Sequence, residues 1–152
     1  MLKRISIPLF QNSAGTIQEI AVYFESSGPE MGTAPVVLVN HSLTGNSRVT
    51  GENGWWQELV GPGKCIDTRL YTVLSLNVPG NGAGGKQDLL ENYSEFTLGD
   101  IAEIFLRVLQ ELKIDELFAI IGGSVGGALA WEMAALKPEL ARNIIPLSLI
   151  HI

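Results

Sequence analysis

This sequence is poor in the residues that build metal centres and disulfide frameworks. It has one cysteine, Cys65, and two histidines, His41 and His151, in 152 residues. A lone cysteine cannot close an internal disulfide, which fits a reducing compartment, and such a thiol is expected to pack as a small buried apolar group. Charge is also scarce. Only 17% of residues carry it, 10 Lys and Arg against 16 Asp and Glu, for a net charge of −6. An acidic balance excludes nucleic acid and anionic membrane as general partners. No apolar run approaches the ~20 residues of a membrane span. The N-terminal MLKRISIPLF is too short and is broken by Pro8, so it does not read as a signal peptide. A cytoplasmic protein is expected, without repeats or low-complexity segments.

What the chain has is apolar mass, 46% of it, enough for one core in a domain of this length. Residues 3–9 and 17–24 alternate in part and are separated by the turn cluster QNSAG, as two strands would be. Residues 35–40, 71–78 and 117–121 are continuous apolar runs, the signature of strands buried on both faces of a parallel sheet. Between the last two, Ile101, Ile104, Phe105, Val108, Leu109 and Leu112 recur at helical spacing, with Thr97 as N-cap and Asp100 as its capping-box partner. A second helix, Val125 to about Leu136, is apolar nearly all round and should be sandwiched in the interior. NIIPLSLI then begins another strand. The alternation predicts an α/β fold, a mostly parallel sheet with an antiparallel N-terminal edge.

Two glycine-rich loops compete for the chemistry. GNGAGGKQ (80–87) matches G-x-G-x-x-G and nearly matches a phosphate loop, but Gln87 stands where a magnesium-binding hydroxyl belongs. No clear helix follows to turn its N-terminus toward phosphate, so this loop reads as a strand's flexible end. GGSVGG (122–127) contains G-x-S-x-G as Gly122, Gly123, Ser124, Val125 and Gly126, between a buried strand and a helix. A chain turning that sharply strains its central residue, and side chains two positions either side would collide. Ser124 is therefore the candidate nucleophile. Its oxyanion donors are expected to be the backbone N–H groups of Val125, next in sequence, and Leu43, in the loop after an earlier strand. His41 precedes the serine, the wrong order for the base of an α/β hydrolase, and reads as structural. Ser42 lacks an elbow around it.

HSLTGNS (41–47), GENGWWQELVGPGKCIDTRLYTVLSLNVPG (51–80) and AIIGGSVGGALAWEMA (119–134) together resemble the homoserine O-acetyltransferase family of the α/β-hydrolase superfamily, over about residues 16–145. The resemblance implies an α/β-hydrolase fold and acetyl transfer from acetyl-CoA to the hydroxyl of L-homoserine, in methionine biosynthesis. It implies Ser124 as the acylated residue, Leu43 and Val125 N–H as the oxyanion hole, and ping-pong kinetics. It implies acetyl-CoA as co-substrate with no bound cofactor or metal, and a homodimer for the full-length protein. Many members carry Met where this chain has Val125, a change that leaves a backbone N–H intact. Trp55 and Trp56 are expected to pack their loop and a following helix against the sheet, and Arg48 remains unassigned. In this family the acid and the base lie well downstream of the elbow, beyond a helical lid. His151 does not read as that base, and Glu132 and Glu139 are badly placed. Residues 1–152 thus read as the N-terminal portion of one α/β-hydrolase domain, inactive alone, with an exposed sheet edge and helix face. A serine esterase on the same scaffold and a non-catalytic module are the alternatives.

Overall fold

The computed structural model describes residues 1–148. Its strands are β1 (Lys3–Gln11), β2 (Ile17–Ser27), β3 (Val36–Asn40), β4 (Val60–Gly61), β5 (Ile66–Asp67), β6 (Thr72–Leu76), β7 (Leu117–Gly123) and β8 (Ala141–Leu147). The helices are α1 (Leu98–Glu111) and α2 (Val125–Leu136). Six strands form one sheet in the order β1-β2-β6-β3-β7-β8, and β4 and β5 form a separate parallel ribbon. β1 pairs antiparallel with β2, and β2 with β6, whereas β6, β3, β7 and β8 run parallel. The expected sheet with its antiparallel N-terminal edge is what forms.

Strand periodicity divides the core in two. Leu38, Leu74, Leu76 and Ile120 point to one face, where they pack with Ile104, Phe105, Val108 and Leu109 of α1 and with Leu129 and Met133 of α2. Val37, Val39, Val73, Ala119 and Ile121 point to the other, against Val49, Val60 and Trp56. Each fully buried side chain of this size contributes about 1.5–3 kcal/mol of transfer free energy, so the helical layer anchors that face of the sheet behind the site.

α1 begins where its signals say it should. The Thr97 side chain accepts from the Asp100 N–H, and the Asp100 carboxylate accepts from the Thr97 N–H in return, a complete capping box. Asp100 is 5% exposed, and its carboxylate also accepts from the Ser13 N–H and hydroxyl at 2.9 and 2.8 Å. Burial alone would raise its pKa, but these hydrogen bonds outweigh burial and hold it below the ordinary carboxylate value.

Three expectations are corrected. α2 is not sandwiched: Gly126, Gly127, Leu129, Ala130 and Met133 are buried, but Trp131 and Leu136 are exposed, because α1 and the sheet cover only one side of it. No helix follows Trp55 and Trp56. The glycine- and proline-rich segment there folds into turns and the short ribbon as it leads from β3 to β6. Cys65 is exposed rather than buried, since it sits in the tight surface turn between β4 and β5. The expected exposed edge is present, with β8 bordered only by β7 among the described residues and Ile145 and Leu147 partly in solvent.

Candidate active site

The C-terminal ends of β3, β6 and β7 lie side by side, so the loops leaving them form one rim. Open α/β sheets place their sites at such a rim. At the end of β7 the chain reverses into α2 within one residue. Ser124 has φ 55° and ψ −123°, a conformation that costs a non-glycine residue of order 1–3 kcal/mol. It is held there by backbone bonds on both sides. Its N–H donates to the Leu147 carbonyl at 2.9 Å, and its own carbonyl accepts from Gly127 and Ala128. The hydroxyl makes no cap bond to the helix it precedes, although serine is a favoured N-cap. Among the described residues that hydroxyl has no hydrogen-bond partner.

The glycines of the motif divide by necessity. A Cβ on Gly122 would lie 2.2 Å from the Gly126 carbonyl oxygen, and one on Gly126 would lie 2.3 Å from the Asn40 carbonyl oxygen. Those are backbone atoms and cannot swing aside. Gly123, by contrast, would meet nothing within 4 Å and does not have a positive φ. The close approach of β3, β7 and α2 therefore demands the outer two glycines, as the elbow argument requires.

The loop after β3 is pinned at both ends and free at its apex. His41 is 2% exposed. Its Nδ1 donates to the Ser42 carbonyl at 2.7 Å, which leaves Nε2 to accept from the Val78 N–H at 3.1 Å. Both ring nitrogens are committed, and burial pushes the imidazole pKa down, the Ser42 bond opposing only in part. His41 is thus a neutral strut between two rim loops and not a base for Ser124. At the far end the Ser47 N–H donates to the buried Asn77 side chain at 2.9 Å, and the Trp55 indole donates to the Asn46 carbonyl at 2.8 Å. Leu43 stands at the apex and is 77% exposed. Among the described residues neither its backbone N–H nor that of Val125 has an acceptor. Leu43 and Val125 both line a cleft of about 370 Å³, together with Val78, Pro79, Leu90 and Phe96, and none of the lining residues is charged.

The other candidates fall away from this rim or lack its features. The glycine loop after β6 runs into a single 3₁₀ turn at Lys86–Asp88, not a helix, so it has no helix N-terminus to hold phosphate. Arg48 stands 3.9 Å from Glu25 and is mostly exposed. Trp56 packs against the second core cluster, while Trp55 is 38% exposed and serves the rim loop through its indole. His151 lies outside the described residues. Sequence reasoning missed Asn40 and Asn77, the polar residues that end the buried strand β3 and follow the buried strand β6. A lone amide closing an apolar run was the available signal.

An alpha/beta hydrolase fold family matches residues 35–150. The chain belongs to that family. Among curated relatives, a homoserine O-acetyltransferase of Haloarcula marismortui is 35% identical over 95% of this chain, and a homoserine O-succinyltransferase of Nitrosomonas eutropha is 32% identical over 90%. The chain spans 40% and 41% of those relatives' lengths. Among solved structures, a homoserine O-acetyltransferase from Staphylococcus aureus superposes with a TM-score of 0.79 at 26% identity, covering 93% of this chain and 44% of that one. A mutant of an esterase gives 0.77 at 25%, covering 93% and 46%. This α/β hydrolase is therefore related both to homoserine acyltransferases and to esterases. Among its described residues, no helix is long and apolar enough to cross a membrane.

Proposed function

We propose that Ser124 is an acyl-accepting nucleophile in an enzyme that moves an acetyl group from acetyl-CoA to the hydroxyl of L-homoserine, with the Leu43 and Val125 N–H groups as its oxyanion donors. The observation that carries this reading is the backbone of Ser124, held at φ 55° with a hydroxyl that caps nothing. Strain of this kind persists where the surrounding structure imposes it, and it leaves the hydroxyl free for chemistry. On this reading the serine oxygen attacks the thioester carbonyl while its proton passes to a base. The carbonyl oxygen becomes an oxyanion between the two free N–H groups. The C–S bond then breaks, and CoA leaves as the thiol once it has regained a proton. The homoserine hydroxyl attacks the resulting ester in turn and regenerates Ser124. With both nitrogens of His41 committed, the general base and its orienting acid are assigned to residues outside 1–148. Acetyl-CoA is a co-substrate, no resident cofactor takes part, and the active assembly is a homodimer.

The likeness to an esterase at 25% identity favours a second reading, in which water replaces homoserine as the acceptor. Release of CoA thiol from acetyl-CoA, followed with and without L-homoserine, separates the two. Homoserine-dependent release with an acetyl adduct trapped on Ser124 is the expected result. Equal release without homoserine would leave the hydrolase, and a Ser124→Ala variant that keeps its rate would remove Ser124 from the chemistry. Loss of a nucleophile of this type costs on the order of 10⁶ in kcat.

A further inference from the structure

Asn40 closes β3 directly beneath the elbow and is fully buried. It stands opposite Gly122 in the parallel register with β7. Its Nδ2 donates to the Gly126 carbonyl at 3.3 Å and faces the Met133 sulfur at 3.9 Å. Its Oδ1 is buried without any hydrogen-bond partner. Exchanging the two ends of the amide would not help, since it would press one carbonyl oxygen against another. An apolar side chain of similar size would fill the site without an orphaned acceptor, so stability alone does not favour asparagine here.

Its placement suggests what it does. The Gly126 carbonyl that accepts from Asn40 is the same atom a Cβ on Gly122 would strike at 2.2 Å, and the Asn40 carbonyl is the atom a Cβ on Gly126 would strike at 2.3 Å. β3, β7 and the first turn of α2 therefore meet around this one amide. The Val125 N–H and the Ser124 hydroxyl leave from the same turn. We infer that Asn40 is a positioning residue whose amide fixes the first turn of α2 on β3, and so sets the direction of the nucleophile and of the Val125 oxyanion donor. This rests on the reading of Ser124 as the nucleophile.

The test compares wild type, Asn40→Leu and Ser124→Ala in the full-length protein. It uses thermal unfolding, amide hydrogen exchange at Gly127 and Ala128, whose N–H groups donate to the Ser124 carbonyl, and the pre-steady-state acylation burst with p-nitrophenyl acetate. Asn40→Leu is expected to keep or raise Tm, to speed exchange at Gly127 and Ala128 relative to β3 and β7, and to slow acylation on the order of 10–100-fold with KM little changed. A merely structural asparagine would not separate stability from rate in this way. A lower Tm, unchanged exchange at Gly127 and Ala128, or acylation at the wild-type rate each overturns the proposal. A burst that survives in Ser124→Ala would instead defeat the nucleophile assignment, and the exchange measurement would still decide whether Asn40 grips α2.

Discussion

Gly126→Ala and Gly123→Ala make the same chemical change three residues apart in one motif, and the structure gives them opposite signs. At position 126 the new methyl would lie 2.3 Å from the Asn40 oxygen, 2.7 Å from the His41 oxygen and 2.8 Å from the Asn40 carbonyl carbon. All three are backbone atoms of β3 and its loop, so relief requires α2 to move off the sheet. Overpacking of this kind costs about 1–3 kcal/mol, and more where no rotamer can yield. Against it stands the helix preference for alanine over glycine, about 1 kcal/mol. Because the clash is with backbone that cannot yield, the upper end of the cost applies, and the net expectation is a loss of about 2 kcal/mol, which at 2–4 °C per kcal/mol for a chain this long lowers Tm by several degrees. At position 123 the methyl meets nothing within 4 Å, and alanine should be neutral or stabilising by up to ~1 kcal/mol through the unfolded chain. Urea unfolding at fixed m-value measures both. Gly126→Ala as stable as Gly123→Ala would refute the claim that close backbone approach is what selects glycine in this elbow.

Ser124→Gly should be more stable than Ser124→Ala by about 1 kcal/mol, because glycine relaxes the φ 55° conformation that alanine must still hold; equal midpoints in a denaturant titration would dispose of the strain. His41→Leu leaves the Val78 N–H without its acceptor and should cost about 1–3 kcal/mol at pH 7. Because burial lowers the folded pKa of His41 below its unfolded 6.5, the unfolded state binds more protons on acidification; wild type should lose stability below pH 6.5 through this group, and His41→Leu should not, as parallel unfolding curves from pH 7.5 to 5 would reveal. Asp100→Asn should cost about 0.5–2 kcal/mol near neutrality, and since the folded carboxyl is held below its ordinary 3.8, the gap from wild type should narrow as pH falls through that range. A gap that widens in acid would contradict the hydrogen-bonding account.

Much of the fold was readable in the chain because its signals are local. Thr97 and Asp100 announce the start of α1 within four residues, and short valine-rich runs such as VVLVN read as strands buried on both faces of a sheet. The elbow was legible for the same reason, since G-x-S-x-G between a buried strand and a helix is a constraint on one short turn. Where reading failed, the deciding neighbours were distant in sequence. α2 looks uniformly apolar, yet which side is covered depends on α1 and β8, so Trp131 faces solvent. Cys65 and the two tryptophans sit in a segment whose structure depends on what it packs against, and there local composition misled.

Composition and short motifs by themselves determined the class of fold, the position of the strained serine and the need for small residues around it, because each follows from the covalent chain and its immediate neighbours. Tertiary structure alone decided which two loops His41 braces, that Leu43 and Val125 line the same cleft, and that Asn40 joins β3 to the first turn of α2. Those facts require residues some 40 to 90 positions apart to meet, and only the parallel register of β3 with β6 and β7 brings them together.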